Sequence, residues 1–456
     1  MADIPVDIPP PAAELGLRFE KAGHQLYLVG GAVRGAILGA DGDELDFATD
    51  ARPPEVIAIL QGWAESRYLI GIEYGTVGAR KGGFTFEITT FREDVYREDS
   101  RHPVVTYAKD IETDLSRRDF TINAMAVRVP GGEFVDPHRG LLDLGRKRLR
   151  TPLDPDISFT DDPLRMLRAA RFVSTLGLEP EPEVLESIGR LRDRLRIISP
   201  ERIRDELSKL LVGVHVDRGL QLVVETGLAE EFLPELPALR LEQDPVHRHK
   251  DVLRHTSAVV KRTEPRERLR LAALLHDIGK PRTREITPEG VQFHHHEVVG
   301  ARMTEERLRA LRYPERMVQD VARLVEMHLR FHTYRLGWSD GALRRYVRDA
   351  GPLLDDLNQL TRADCTTQNP EKARILTSLQ DELEERIARL AEEENLARIR
   401  PPLDGRQVME HLGIPPGPLV GEALSHLLEL RMDRGPILEE EALRLLDEWR
   451  EQKGLG

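Results

Sequence analysis

The stretch from Leu26 to Asp50, LYLVGGAVRGAILGADGDELDFATD, constrains this 456-residue chain more than any other, because it reads as strand, glycine turn, helix, strand. Leu26 to Val29 is a short apolar run suited to a strand, and Gly30-Gly31 ends it where an ordinary side chain would obstruct close approach. Backbone N–H groups of a glycine turn that opens a helix favour an anion, and Arg34, one turn in, adds a full charge. Gly-Gly before a helix serves tight packing as readily as phosphate binding, so the turn alone leaves both open.

The second half narrows the choice. Glu44 and Asp46 lie two apart in Glu44-Leu45-Asp46-Phe47, so on a strand both carboxylates project from one face while Leu45 and Phe47 turn to the core. Adjacent anions repel unless a cation lies between them, and Mg2+ is usually held by one or two carboxylates plus substrate phosphates. Phe84 to Thr90 alternates as a strand, which lets Glu87 supply a third acid from a neighbour. A solvated acidic strand edge has the same spacing.

These residues resemble the nucleotidyltransferase family that contains tRNA CCA-adding enzymes and bacterial poly(A) polymerases, class II. LVGGAVRGAILG resembles the family's glycine-rich start, ELDFATDA its two-acid metal motif with Thr49, and FEITTFR the strand of the third acid. RRDFTINAMA at 117–126 resembles its sugar-recognition segment, DPHRGLLDL at 136–144 the motif after it, and DDPLRMLRAARF at 161–172 its protein-template helix. They stand in family order over the first half of the chain. The resemblance departs at two positions: Glu44 stands where Asp is usual, and Gly35 follows Arg34 where an Asp is usual. The extra methylene moves a carboxylate by about a bond length, against a placement tolerance of roughly 0.5 Å. With Asp46, Glu87, Thr49 and the later motifs retained, a working site is expected.

The resemblance implies catalytic Glu44, Asp46 and Glu87, with Mg2+ on Glu44 and Asp46, and Gly30, Gly31 and Arg34 on the triphosphate. Arg117 and Arg118 could hold phosphates and Asp119 a ribose hydroxyl, with Asn123 in the same segment; the plain alternative is a helix cap by Asp119 and two solvated arginines. Asp162 and Arg165, one turn apart on a helix expected over 161–172, would pair with the base edge, or form an intrahelical ion pair. Arg168 and Arg171 either assist with phosphate or meet solvent.

Farther on, His255, His276-Asp277, one of His294 to His296, His328 and Asp364 form a second metal-like set, and LLHDIGKP at 274–281 resembles the HD metal-dependent phosphohydrolase signature. His296 is the choice among the three neighbours. Mixed N and O ligands point to a divalent transition metal or Mg2+.

The fold class expected is α+β multidomain: a small mixed β-sheet, polymerase-beta-like nucleotidyltransferase head, an all-α neck, an α-helical HD domain and a helical tail. The boundaries expected are a proline-rich mobile tail over 1–13, the head over 14–150, the neck over 151–238, the HD domain over 239–372 and the tail domain over 373–456. Arg92 to Asp110 reads as a loop beside the site, Phe120 to Val127 as helix-like, and Ser199-Pro200 as a helix start. A net charge of −13 disfavours indiscriminate nucleic-acid binding. The arginine clusters at 190–204 and 302–348 read as solvated helix faces. The lone Cys365, together with the absence of a signal peptide or of an apolar run of about 20 residues, points to a cytoplasmic protein with no membrane partner. The function expected is addition of CCA to tRNA 3′ ends from CTP and ATP. The alternatives are a poly(A) or partial CC- or A-adding enzyme, and an HD phosphohydrolase acting on 2′,3′-cyclic or 2′-phosphate RNA ends.

Overall fold

The computed structural model describes residues 6–40, 42–95, 104–241, 251–288, 290–334, 337–366, 369–394 and 400–454. It divides into two compact units, Met1–Pro237 and Ala238–Gly456.

The first unit opens with α1 (Pro10–Lys21), β1 (Leu26–Val29), α2 (Gly31–Leu38), β2 (Glu44–Thr49), α3 (Pro53–Ile59), β3 (Ser66–Tyr68), β4 (Thr76–Lys81) and β5 (Phe84–Thr90). There follow β6 (Arg92–Val95), β7 (Val104–Tyr107), α4 (Ile111–Ser116), β8 (Ala126–Arg128), β9 (Phe134–Val135) and α5 (Gly140–Gly145). Seven strands form one mixed sheet in the order β3-β4-β5-β2-β1-β8-β9, with β2 and β5 parallel. Alternation along β2 sends Leu45 and Phe47 into a core with Phe86, Ile88 and Val77, and leaves Glu44 and Asp46 on the open face.

Four sequence expectations change here. The fold begins at α1, not at residue 14: Pro9 caps it, Pro10 and Pro11 fill its first turn, and Ala12 and Leu15 are fully buried. Proline is tolerated there because the missing N–H would have had no helical partner. Phe120 to Val127 is a short 3-10 turn, Thr121–Asn123, followed by β8, which pairs with β1 and completes the sheet. Arg92 to Asp110 is framed by the antiparallel pair β6 and β7 rather than being loop throughout, and residues 96–103 lie outside the described residues. The helix expected over 161–172 is two helices, α6 (Pro155–Asp161) and α7 (Leu164–Leu176), broken at Asp162-Pro163. A residue before proline is pushed out of the helical region, and Asp162 has φ −135° and ψ 98°.

Around α7 pack α9 (Pro200–Leu211) and α10 (Val216–Glu225), while α8 (Pro182–Leu191) packs on α6. Ser199 stands at the α9 N-cap with Pro200 after it, without a side-chain capping bond. The arginines at 190–204 are largely ion-paired, as Arg190 with Asp156 at 2.8 Å and Arg196 with Glu231 at 2.6 Å.

Among the described residues, the regular structure of the second unit is helical but for the hairpin Arg284–Thr287 and Gly290–Phe293. The acidic helix Pro370–Glu394 leads to a tail of three helices around Val408, Leu427, Leu446 and Trp449. The tail packs on the helix Asp340–Ala350, where Arg344 donates to the Met432 carbonyl at 2.9 Å. Among the described residues, no helix is long and apolar enough to cross a membrane.

Candidate active site of the head and a histidine–aspartate cluster

In the head, Asp46 on β2 and Glu87 on β5 are register partners, and Glu44 stands two residues before Asp46 on the same face. No described hydrogen bond or ion pair engages any of the three carboxylates. Asp46 is exposed by surface area but ringed by protein. That burial raises its carboxyl above the usual range, opposed by Arg118 and reinforced by Glu44. Burial, then the charges of Asp46 and Glu44, raises Glu87 likewise. Three acids facing one opening, with Arg118 as the opposing charge at Asp46, could hold a hard dication, which would relieve their repulsion.

Gly30 caps α2 with φ 67°, a conformation glycine adopts without strain. A Cβ there would lie 2.9 Å from Arg118 Nη1 and 3.9 Å from Asp46 Oδ2, so the glycine turn, one arginine and one acid meet at a single point. Gly35, the second departure, is tight: a Cβ would meet the Ala40 carbonyl oxygen at 3.3 Å.

A charged chain runs inward from this point. Arg34 donates to Asn123 Oδ1, and Asn123 Nδ2 donates to Asp119 Oδ1 at 2.8 Å. Arg168 Nε donates to Asp119 Oδ2 at 2.9 Å, and Arg171 donates to Glu206 at 3.0 Å. The guanidinium carbons of Arg34, Arg168 and Arg171 lie 5.1, 5.8 and 4.4 Å from the Phe172 ring centroid. Burial, then the Arg168 charge, lowers Arg171 to about 10. Asp119 is held well below the carboxylate range: its burial opposes the charged form, but Arg168 and Asn123 outweigh it.

This changes several expectations. Asp119 does not cap a helix with solvated arginines beside it, nor is it open toward a ribose, because a buried carboxylate needs internal partners. Arg117 and Arg118 both pair with buried Asp114, at 2.8 and 3.0 Å. Arg168 and Arg171 do not simply meet solvent. Asp162 and Arg165 form no ion pair: Asp162 accepts from Arg202 at 3.0 Å, while Arg165 donates to Ser158 Oγ at 2.8 Å and to the Arg117 carbonyl at 2.5 Å.

Asp114 and Glu206 were not legible as site residues. The one signal for Glu206 is an acid placed in the apolar stripe of α9, beside Ile203, Leu207 and Leu210. Of the 136–144 motif, Asp136 accepts from the amides of Gly140 and Leu141 at 2.6 and 3.0 Å. Asp143 accepts from Thr121 Oγ1 at 2.7 Å, so the motif braces the 3-10 turn that carries Asn123.

In the second unit the six expected residues converge. Helix Glu267–Leu275 is anchored by buried Leu269, Leu271 and Leu274 and delivers His276 and Asp277 from its end. A Cβ on Gly279 would overlap the His296 carbonyl, so glycine lets the two segments meet. His276, His296 and His328 each donate Nδ1–H to the carbonyl three residues earlier, at 2.8, 2.9 and 2.6 Å. His255 Nδ1 meets Thr366 Oγ1 at 2.8 Å. Every ring turns Nε2 to the centre, and the carbonyl on Nδ1 leaves the Nε2 lone pair of a neutral His296 or His328 free for metal ligation.

Two overlapping donor groups result, His255-His276-Asp277 and Asp277-His296-His328, each with ligand atoms within 4.8 Å of one another. Asp364 stands 2.9 Å from His255 Nε2. The buried Nε2 atoms of His296 and His328 have no hydrogen-bond partner. Unpartnered imidazole lone pairs of this kind, with His296 Nε2 3.4 Å from Asp277 Oδ1, fit a metal ion. Burial opposes charge on His276, but Asp277 and Asp364 outweigh it and raise it to about 10; burial, then His276, lowers His328 to about 3. Lys280, 2.7 Å from Asp277, and His332, 3.7 Å from Asp364, were not singled out from sequence. His294 bonds Gln292 instead, and His295 is exposed.

The mixed sheet with three acids on its open face, followed by helices and a histidine–aspartate centre, defines a nucleotidyltransferase head joined to an HD domain. Residues 26–150 match the poly(A) polymerase head domain, 177–239 the probable RNA- and SrmB-binding site of that polymerase, and 248–391 the HD domain. The chain is 34% identical over 440 residues to an A-adding tRNA nucleotidyltransferase of Deinococcus radiodurans, covering 93% of this chain and 95% of that one. It belongs to the tRNA nucleotidyltransferase family. A CCA-adding enzyme of Bacillus pumilus is 41% identical over 221 residues, 48% of this chain and 54% of its own length. The structure of the Bacillus stearothermophilus CCA-adding enzyme in complex with CTP superposes with a TM-score of 0.71 at 25% identity, covering 98% of this chain and 99% of that one.

Proposed function

We propose that the chain adds C, C and A to the 3′ end of tRNA from CTP and ATP without a nucleic-acid template, releasing pyrophosphate. The observation that carries this reading is the in-register pair Asp46 and Glu87, with Glu44 beside it, facing the Gly30–Arg118 corner. Glu44 and Asp46, with Glu87, would hold Mg2+, which when bound lowers the pKa of the primer hydroxyl and neutralises charge on the leaving pyrophosphate. Gly30 and Gly31 at the α2 N-terminus and Arg118 receive the triphosphate, with Arg34 and Arg117 behind them. Asp119 orients Arg168 and Asn123 rather than meeting the sugar itself, and Arg171 adds positive field.

Asp162 accepts from the exocyclic amine that CTP and ATP share. A carboxylate has about four acceptor sites, and Leu164 N–H and Arg202 occupy two at Asp162. Arg165 donates to the ring acceptors with N–H groups that Ser158 and Arg117 leave over. Asp162→Ala is expected to blur the choice of CTP and ATP over GTP and UTP by about tenfold, with the fold retained and the melting temperature lowered by the loss of the Leu164 and Arg202 bonds. Unchanged preference in competitive incorporation would refute the template role.

The test of the whole reading is extension of a tRNA transcript lacking CCA. Growth by two nucleotides with CTP and by three with both substrates is expected, and no growth under any condition refutes it. A long ladder with ATP would indicate poly(A) polymerase. A specific observation favours a second reading, A addition alone: in sequence, a relative matched over nearly the whole chain is an A-adding enzyme, whereas the Bacillus pumilus CCA-adding relative aligns over about half. That reading requires extension by one on tRNA ending in CC and none with CTP.

The HD cluster supports a second activity, metal-dependent hydrolysis of 2′,3′-cyclic or 2′-phosphate RNA ends, with a divalent transition metal or Mg2+ held by His255, His276, Asp277, His296, His328 and Asp364. His276→Ala with Asp277→Ala is expected to remove metal binding, read by calorimetry, and phosphatase activity while sparing nucleotide addition. Retained hydrolysis would overturn it. A cytosolic setting belongs to the same proposal, supported by the single Cys365.

A further inference from the structure

We propose that Tyr68 is the platform on which the terminal nucleoside of the RNA primer rests, an inference that itself rests on the nucleotidyltransferase reading of the head site. Asp46, Glu87, Gly78 and Tyr68 are successive register partners across β2, β5, β4 and β3. Direct partners share a face, so Tyr68 stands in the row of the acids, two strands or about 10 Å beyond Glu87.

Its ring does not point away from that row. Cε2, Cζ and Cδ2 of Tyr68 occupy the place that a Cβ of Gly78 would take, so the ring leans across β4 toward Glu87. The φ of Gly78 lies outside the left-handed region, and glycine is needed there for space and not for conformation. Burial raises the Tyr68 phenol, and the charges of Glu87, Glu44 and Asp46 raise it further against Arg80, which places the neutral ring in the field of all three acids.

The direction of the reaction assigns the occupant. In-line phosphoryl transfer sets the attacking hydroxyl opposite the leaving pyrophosphate. The Gly30–Arg118 corner lies on the β1 side of Asp46 and takes the triphosphate. The nucleophile therefore arrives over Glu87, Gly78 and Tyr68. Beyond the ring, Leu69 and Ile70 are 49% and 85% exposed, an apolar continuation suited to bases and unsuited to phosphates. Base–aromatic stacking tolerates any base, as a primer end that changes from one addition to the next requires.

Steady-state kinetics on tRNA lacking its terminal nucleotides tests this. Tyr68→Ala is expected to raise KM for tRNA by roughly fivefold or more, with KM for CTP and ATP and the melting temperature unchanged, and Tyr68→Phe to restore the wild-type value. Gly78→Ala should displace the ring and reproduce the primer defect, yet cost nothing further when added to Tyr68→Ala. With an active wild type, an unmoved tRNA KM in Tyr68→Ala, a Tyr68→Phe as impaired as alanine, or additive Gly78 and Tyr68 effects would overturn this inference alone. A wild type that incorporates nothing would overturn the reading beneath it, and this inference with it.

Discussion

Asp46→Ala is expected to lower nucleotide incorporation by at least about a thousandfold, well beyond the 10–100-fold that outer partners of a metal site cost, while the protein melts at the wild-type temperature or slightly above it. The side chain contributes nothing visible to the fold. It stands on the open face of β2, no described hydrogen bond or ion pair holds it, and the core beneath is made by Leu45 and Phe47. It meets charge of its own sign from Glu44 two residues before it and Glu87 across the sheet, against the single opposite charge of Arg118. Removing one of three mutually repelling carboxylates relieves strain in the metal-free protein and deletes a ligand from the metal-bound one. The measurements are primer extension with Mg2+ and a thermal melt of the same sample. An active variant refutes the assignment, whereas an inactive variant that no longer folds shows that the face is structural.

Asp119→Ala is expected to do the opposite, destabilising the first unit by about 3–5 kcal/mol and abolishing activity as a consequence. Asp119 is 8% exposed and joins Phe120 N–H, Asn123 and Arg168. Without it, Arg168 remains half-buried near Arg34 and Arg171, with the shared Glu206 at 3.6 Å and the more remote Asp162 as counter-charges. The pH dependence has a fixed sign. The Asp119 carboxyl is depressed in the folded state, so its contribution is fully present above the ordinary carboxylate value of about 3.9 and is lost as pH falls below it. Denaturant midpoints should therefore separate wild type from variant at neutral pH and converge in acid. Equal midpoints at neutral pH would show that the Arg168 charge finds another partner.

How far the sequence could be read depends on whether a feature is local. The period of two on β2 put Glu44 and Asp46 on one face and Leu45 and Phe47 on the other, and Phe84 to Thr90 brought Glu87 to the same row. The Gly30 turn is local too, since the chain there has φ 67°. Short segments were misjudged where a neighbour decides the outcome. Phe120 to Val127 has an apolar pattern that serves helix or strand, and only the free edge of β1 selects the strand. Pro10 and Pro11 argue against a helix interior but not against a first turn, and burial of Ala12 and Leu15 decides that α1 forms.

The sequence by itself determined the acids on one strand face, the glycine turn, the order of the motifs and which histidines and aspartates converge in the second unit, because each follows from periodicity, backbone freedom or residue chemistry within a few residues. Only the tertiary structure decided which charges neutralise which: Asp119 with Arg168 across 49 positions, Arg171 with Glu206 across 35, and His255 with Asp364 across the second unit. It also decided that Asp162 and Arg165 turn to different partners, and that Tyr68 covers Gly78. The reason is physical. A buried charge or ring must find a partner once water is removed, and which partner is within reach is fixed by packing between elements that are remote in the chain.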